Sequence, residues 1–289
     1  MGIAPSQATS AVRTRPTSVR LPAVRRPSVS IVMATHQGAQ VLGRALQALI
    51  ANTEPRYELI LVDNGSTDGT AALLDQVENA SVLINKRNTG FGTASNQGAA
   101  EARAGNLLFL NQDVFVHRGW LPPLLERLDS HSRVGAVGPM LLNPDGSLQC
   151  AGAMVFRSGS TACYGEGDDP ERAGYQFARV VDYLPAACLL VQRRAFEEVG
   201  GFDGEYGRAY FEDADLGFAL ADRGYRSMYE PLSKVTHVRG TPSEALLRLA
   251  VDNRTTFERR WRRVLASRPV SPPTTSAGGE ATDVQPMAK

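Results

Sequence analysis

Cysteine, histidine and tryptophan are scarce in this 289-residue chain, at 3, 4 and 2 copies. The odd cysteine set, Cys150, Cys163 and Cys188, contains no CxxC spacing. That argues against a disulfide framework or a zinc site and favours reduced thiols in a cytoplasmic setting. No apolar run approaches the roughly 20 residues that cross a bilayer, and the N-terminus has no apolar secretory core. Acidic residues are absent before Glu54, whereas Arg13, Arg15, Arg20, Arg25 and Arg26 precede it. Residues 1–27 read as a disordered basic leader, although Met1–Ser6 matches a short myristoylation pattern and the stretch has the acid-free look of a transit peptide. Asn64, Asn79 and Asn253 fall in glycosylation-type triplets, which carry no weight without secretion. A net charge of +1 gives no general attraction to nucleic acid, and none is expected as a partner.

What is present is ordinary globular composition, 43% hydrophobic and 21% charged. Ser28–Ala34, Glu58–Asp63, Ser81–Asn85 and Leu107–Leu110 read as strands. Each of the first three runs into a polar, often glycine-containing turn and then a helix. Such repeated units predict an α/β fold with a mostly parallel sheet flanked by helices. Further strands are expected at 134–137, 183–191, 225–229 and 233–238, with helices from Gly119 and Glu212. The organisation expected is a nucleotide-binding half over 28–138, an acceptor-side and catalytic half of smaller, mixed structure over 139–240, a basic helix over 241–266 and a disordered tail over 267–289. Arg254, Arg259, Arg260, Arg262 and Arg263 on that helix form a basic cluster. A solvated face is the ordinary reading of such a cluster; contact with anionic lipid is the sharper one.

Five features could carry chemistry. Asn111-Gln112-Asp113 follows a buried strand, and ligands bind at the carboxyl ends of strands in open α/β sheets. A hard cation bridging phosphates takes only one or two protein carboxylates, and Asp113 can be one. An acid at a strand end is otherwise a turn or capping residue. Asp63-Asn64-Gly65-Ser66 is an acid and a glycine turn able to meet a ribose or base edge. Asn88–Gly98 offers a glycine turn at a helix start, but Ser95 replaces the third glycine of a dinucleotide fingerprint. Glu212-Asp213-Ala214-Asp215 crowds carboxylates, which raise one another's pKa and favour a proton acceptor. It also suits a helix dipole. His237, after a strand, could join a carboxylate on Mg2+ or Mn2+, although a lone histidine is more often a packing residue.

In this order the motifs resemble the inverting family-2 glycosyltransferases of GT-A fold, over about Ser28–Val238. The matching stretches are Ser30-Ile31-Val32 with Thr35, Val62–Asp68, Asn88-x-Gly90-Phe91-Gly92-x-Ala94-x-Asn96-x-Gly98, Asn111-Gln112-Asp113, Gly201-Phe202-Asp203, Glu212-Asp213-x-Asp215 and His237. The resemblance implies a nucleotide pocket using Thr35, Asp63, Asn64, Asn88, Gly90, Phe91, Asn96 and Asn111. It implies a divalent metal, Mg2+ or Mn2+, at Asp113 and His237, and a catalytic base at Asp213 beside Glu212. Asn111 stands where the family's metal motif has its first Asp. The asparagine-glycine pattern looks like that of bacterial rhamnosyltransferases, which implies dTDP-rhamnose as donor and a lipid-linked or growing cell-surface glycan as acceptor. It further implies a cytoplasmic enzyme with peripheral contact at the inner face of the plasma membrane. UDP-hexose transfer on the same fold and a non-catalytic nucleotide-sugar-binding protein are the rivals. A nucleotidyltransferase lacks support, because no basic glycine loop near the N-terminus would hold a triphosphate.

Overall fold

The computed structural model describes residues 19–54 and 56–270. The expected leader up to residue 18, with Arg13 and Arg15, and the tail from 271 lie outside the described residues.

In chain order the first half contains β1 (Val19–Arg20), β2 (Val29–Thr35), α1 (Ala39–Asn52), β3 (Tyr57–Asp63), α2 (Thr70–Leu74), β4 (Val77–Glu78), β5 (Ser81–Ile84), α3 (Phe91–Ala100) and β6 (Asn106–Leu110). The second half adds β7 (Val114–Val116), α4 (Leu121–Asp129), β8 (Val134–Leu142), β9 (Leu148–Cys150), β10 (Ala153–Val155) and β11 (Thr161–Cys163). These are followed by β12 (Arg179–Val181), β13 (Cys188–Gln192), α5 (Arg193–Val199), α6 (Glu212–Asp222), β14 (Arg226–His237) and α7 (Glu244–Leu265).

The main sheet runs in the order β12-β14-β8-β13-β6-β2-β3-β5. From β6 to β5 every pairing is parallel, as the strand-helix repeats predict. Beyond β6 the sheet becomes mixed, because β13 runs antiparallel to both β6 and β8. Along β2, Val29, Ile31 and Met33 feed one core layer and Val32 the other. This two-sided burial is what a parallel sheet covered on both faces requires. All the glycine and asparagine turns that follow β2, β3 and β5 therefore open on one edge.

Four expectations change. Residues 19–27 do not float as a leader: β1 pairs with β4, Leu21 is buried, and Asn79 Nδ2 donates to Leu21 O at 2.9 Å. The run 183–191 forms a strand only from Cys188, and β8 continues to Leu142. The two strands expected at 225–238 are one, β14, whose register breaks between Glu230 and Lys234. Pro231 explains the break, since it has no N–H to give a ladder. Finally, Cys150 and Cys163 are disulfide-paired, and the free cysteine, Cys188, is buried. No CxxC is needed, because the polypeptide folds back so that Ala151 N donates to Tyr164 O and Tyr164 N to Gly152 O.

Helix α7 is amphipathic, with Phe257 and Leu265 inward. The Phe257 ring lies 5.5 Å from Phe211 and 5.0 Å from Phe218. Among the described residues no helix is long and apolar enough to cross a membrane. Because Phe257 is fully buried, Phe257→Ala should cost about 3–5 kcal/mol in urea unfolding. A loss below about 1 kcal/mol would mean that α7 is a loosely attached appendage.

Candidate active site

The donor-side edge is tied together by amides. Thr35, at the end of β2, donates its hydroxyl to Gln112 Oε1. Gln112 also accepts from His36 N at 3.1 Å and donates to Gln37 O at 2.9 Å. The Asn111–Asp113 crossing is thus fastened to the loop after β2. Asp63 stands in register with Thr35. It is buried, with Oδ1 accepting from Ser66 N at 2.9 Å. That bond shapes the Gly65 turn and holds the acid at the pocket's end of β3.

Three asparagines expected to meet nucleotide, buried Asn64 and partly exposed Asn88 and Asn96, make hydrogen bonds within the protein. Asn64 Nδ2 donates to Asn88 Oδ1 and Gly90 O, both at 3.1 Å. Its Oδ1 accepts from Asn85 Nδ2, Thr89 N and Thr89 Oγ1. Asn88 Oδ1 further caps Gly90 N at 2.9 Å. Asn96 pairs with both backbone groups of Phe202, donating to Phe202 O at 2.7 Å and accepting from Phe202 N at 3.0 Å. These bonds fix the loop after β5 and the start of α3. Phe91 likewise packs on Phe202, with centroids 5.5 Å apart. Gly90 is dictated by space: it has φ +92°, and a Cβ there would stand 2.0 Å from Gly207 O. The loop before α3 is in this way pressed against the 207–208 turn of the second half, where Phe91 N donates to Arg208 O at 3.0 Å.

Asp113 and His237 do meet. β7 pairs with β14, placing His237 opposite Val114, and His237 Nε2 lies 3.4 Å from Asp113 Oδ1. Gln149, which the motifs do not signal, decides the ring's state. Its Nε2 donates to Asn143 Oδ1 at 2.9 Å and His237 O at 3.0 Å, so its Oε1 faces His237 Nδ1 at 2.8 Å and accepts from it. In the neutral ring Nε2 then carries the lone pair. A lone pair and a carboxylate facing each other suit a cation between them. Among the described residues no cluster of three or more His, Cys, Asp or Glu side chains forms. Two protein ligands fit Mg2+ or Mn2+ completed by substrate phosphates and water. Asn111 lies in the same crossing, partly exposed, with its N–H on Ala187 O at 2.9 Å.

The acidic group starts α6. Glu212 is buried and its Oε2 has no hydrogen-bond partner among the described residues. Asp213 is partly open, its Oδ1 accepting from Ala214 N at 2.8 Å and its Oδ2 from Ala186 N at 3.4 Å. Burial, and then the charge of Asp213, push Glu212 up to about 8. Burial pushes Asp213 up to about 6, against the backbone bonds that favour its charge. Both carboxyls are thus raised by burial, and the adjacent pair holds a proton more readily than an exposed one would. Asp215 faces away. Its Oδ1 accepts from Trp261 Nε1 at 2.7 Å and Tyr206 Oη at 3.0 Å, and it is ion-paired with Arg260 at 3.3 Å. The corner before the pair is strained: Tyr210 and Phe211 both have φ +73°, at roughly 1–2 kcal/mol each.

Asp113 and His237 form a carboxylate–imidazole pair able to take a cation, and the mixed half carries the Glu212–Asp213 pair with raised carboxyl pKa values. The chain belongs to glycosyl transferase family 2, whose model matches residues 30–200. It is 33% identical over 252 residues to an N-acetylglucosaminyl-diphospho-decaprenol L-rhamnosyltransferase of Mycobacterium tuberculosis, covering 78% of this chain and 82% of that one. Its fold is that of a solved GalNAc-T7 with UDP, GalNAc and Mn2+ (TM-score 0.66, 19% identity, covering 83% of this chain and 50% of that one). It also matches a mannosyltransferase from Pyrobaculum calidifontis with GDP-Man and Mn2+ (TM-score 0.60, 17% identity, covering 87% and 72%). This is the GT-A architecture, and the protein is a glycosyltransferase.

Residues that the motifs leave unassigned are Gln112, Gln149 and Asn253. Gln112 stands inside a motif, whereas Gln149 has no local signal. Asn253 appears only in a glycosylation-type triplet, and like Asn64 it is buried. The Gly90 geometry is directly testable. Gly90→Ala should lose more than about 2 kcal/mol of stability. Gly105→Ala, where a Cβ meets nothing within 4 Å, should stay within about 0.5 kcal/mol of wild type. Equal midpoints for the two variants in chemical denaturation would refute the tight contact with Gly207.

Proposed function

We propose that the protein transfers rhamnose from dTDP-rhamnose, with inversion, to a hydroxyl of a lipid-linked or growing glycan in cell-surface polysaccharide synthesis. The observation that carries the chemistry is the Glu212–Asp213 pair, in which a partly open carboxylate lies beside a buried one. The donor and acceptor follow from the mycobacterial relative, whose name specifies rhamnosyl transfer to a decaprenol-linked sugar and most of whose length is shared.

Asp63 and Thr35 close the nucleotide end of the pocket, with Asn64, Asn88, Gly90, Phe91 and Asn96 shaping its wall and Asn111 at its phosphate edge. Asp113 and His237 would hold Mg2+ or Mn2+, which when bound neutralises charge on the departing diphosphate. Asp213 takes the acceptor's proton as the acceptor oxygen attacks the anomeric carbon opposite the leaving group, so configuration inverts in one displacement. The protonated Glu212 keeps a second negative charge away from Asp213. Acceptor attachment to lipid would place the enzyme on the cytoplasmic side, at the inner face of the membrane.

Nucleoside diphosphate release from a panel of dTDP-, UDP- and GDP-sugars with Mn2+ tests this reading. Release from dTDP-rhamnose alone is expected. Preference for a UDP-hexose would replace the donor, and binding without release from any would leave a carrier protein. Asp213→Asn should lower kcat by about 100-fold or more with KM little changed. Because the base must be ionised, wild-type kcat should rise as pH passes about 6, and a profile flat from pH 4.5 to 8 would exclude Asp213 as base.

The basic helix offers less to a membrane than its composition implies. Arg254 pairs with Glu258, Arg259 with Glu205, and Arg260 with Asp203 and Asp215. Exposed Arg262 and Arg263 are the residues we assign to anionic head groups. Their joint replacement by Ala should reduce sedimentation with anionic vesicles, and undiminished sedimentation would remove that assignment.

A further inference from the structure

The corner that delivers the acid pair is held by a residue beyond the stretch that the family model matches. Asn253 lies on α7, is 4% exposed, and donates through Nδ2 to Tyr206 O at 2.7 Å, Ala209 O at 2.8 Å and Tyr210 O at 3.0 Å. The oxygens of Ala209 and Tyr210 belong to the two peptide planes that flank Tyr210. Gripping both from one nitrogen fixes φ and ψ of Tyr210 in the left-handed region, where an aromatic residue does not rest unaided. Phe211 follows in the same region, and its ring is seated on Phe257, one turn along α7 from Asn253. The next residues are Glu212 and Asp213. A second tie runs from Trp261 Nε1 to Asp215, within the first turn of α6. Helix α7 therefore sets both the corner and the helix that it opens.

We propose that Asn253 is a positioning residue for sugar transfer: it holds the left-handed Tyr210–Phe211 corner so that Asp213 faces the acceptor. The inference rests on the reading of Asp213 as base. It gives α7 a role in turnover that is separate from any contact of its arginines with lipid. No other side chain type of similar size supplies a fork of two N–H donors at this point. An aspartate would put charge against three carbonyl oxygens, and a leucine would leave them unpaired.

The test compares Asn253→Ala, Tyr210→Gly, the double variant and Arg259→Ala, with Asp213→Asn beside them. Turnover is followed on dTDP-rhamnose, or on the UDP-hexose that replaces it if the donor panel so decides. Asn253→Ala should lower kcat by about 100-fold, the usual penalty for misplacing a reacting group by an ångström, with donor KM within about twofold. Its rise of kcat with pH should shift from that of wild type, because Asp213 changes surroundings. Glycine rests in the left-handed region without cost, so Tyr210→Gly should restore part of the lost kcat in the double variant. Arg259→Ala, which removes an exposed ion pair on the same helix, should keep wild-type kcat. If Asn253→Ala does not fold, Asn253→Ser, which keeps one donor, serves in its place. Wild-type kcat and pH profile in the Asn253 variant, with Asp213→Asn inactive, would overturn the inference. So would a loss that merely tracks the folded fraction and is not relieved by Tyr210→Gly. An active Asp213→Asn would instead overturn the base assignment.

Discussion

A buried carboxyl, Glu212, beside a partly open one, Asp213, at one helix start imposes most of what surrounds them. A buried, unpaired Glu212 Oε2 beside Asp213 costs folding free energy, and the strained corner before it costs more. With both pKa values raised, the folded chain keeps protons that the unfolded chain would release. Stability from this pair therefore declines as pH rises above the ordinary carboxylate range near pH 4. The penalty is offset by packing and hydrogen bonding that lie elsewhere: the Phe211–Phe257–Phe218 stack, the Asn253 fork, and the Asp215 carboxylate bonded to Trp261 and Tyr206. A helix near the end of the sequence is thus needed to keep a reactive group in the middle of it.

The donor edge solves a different problem, that of holding several irregular loops in one arrangement without a regular ladder. Amide side chains serve because each offers donors and acceptors together. Asn64 saturates its capacity across the Asn85–Gly90 loop, and Gln112 binds the loop after β2 to the crossing that carries Asp113. The pocket is preorganised in this way before any nucleotide enters, and the ordering cost is met in folding rather than in binding.

The parallel half was legible in the sequence because its signals are local. Apolar runs such as Ile31–Met33 and Leu59–Val62, each followed by a glycine turn and an amphipathic stripe, state strand, turn and helix within twenty residues. The positions of Asp63, Asp113, Asp213 and His237 were legible through the order of their motifs. What could not be read depends on distant partners. Nothing near Asn96 shows that Phe202 will lie across it, and nothing near Asn64 shows that its amide is spent. Cys150 and Cys163 pair because the chain folds back between them, not because of their spacing. The arginines of α7 look free in sequence, since Asp203 and Glu205 reach them only after folding. The motifs are therefore readable as positions along the chain, while the hydrogen bonds that occupy Asn64, Asn88 and Asn96 are set by tertiary contacts.

The two halves are joined where the reaction would need a fixed distance. Asn111 N bonds to Ala187 O, Val238 N bonds to Asp113 O, and Ala186 N reaches Asp213 Oδ2. The consecutive buried residues Ala186 and Ala187, just before the antiparallel strand β13, thus touch both the crossing that carries Asp113 and the carboxylate of Asp213. Single displacement requires the leaving group and the base on opposite faces of the sugar, at a separation that cannot drift. A continuous sheet with one reversed strand at its seam ties both segments to consecutive residues, through one backbone bond and one bond to the Asp213 carboxylate. The mixed sheet thus brings the crossing that carries Asp113 and the start of α6 onto the same short stretch, Ala186–Ala187.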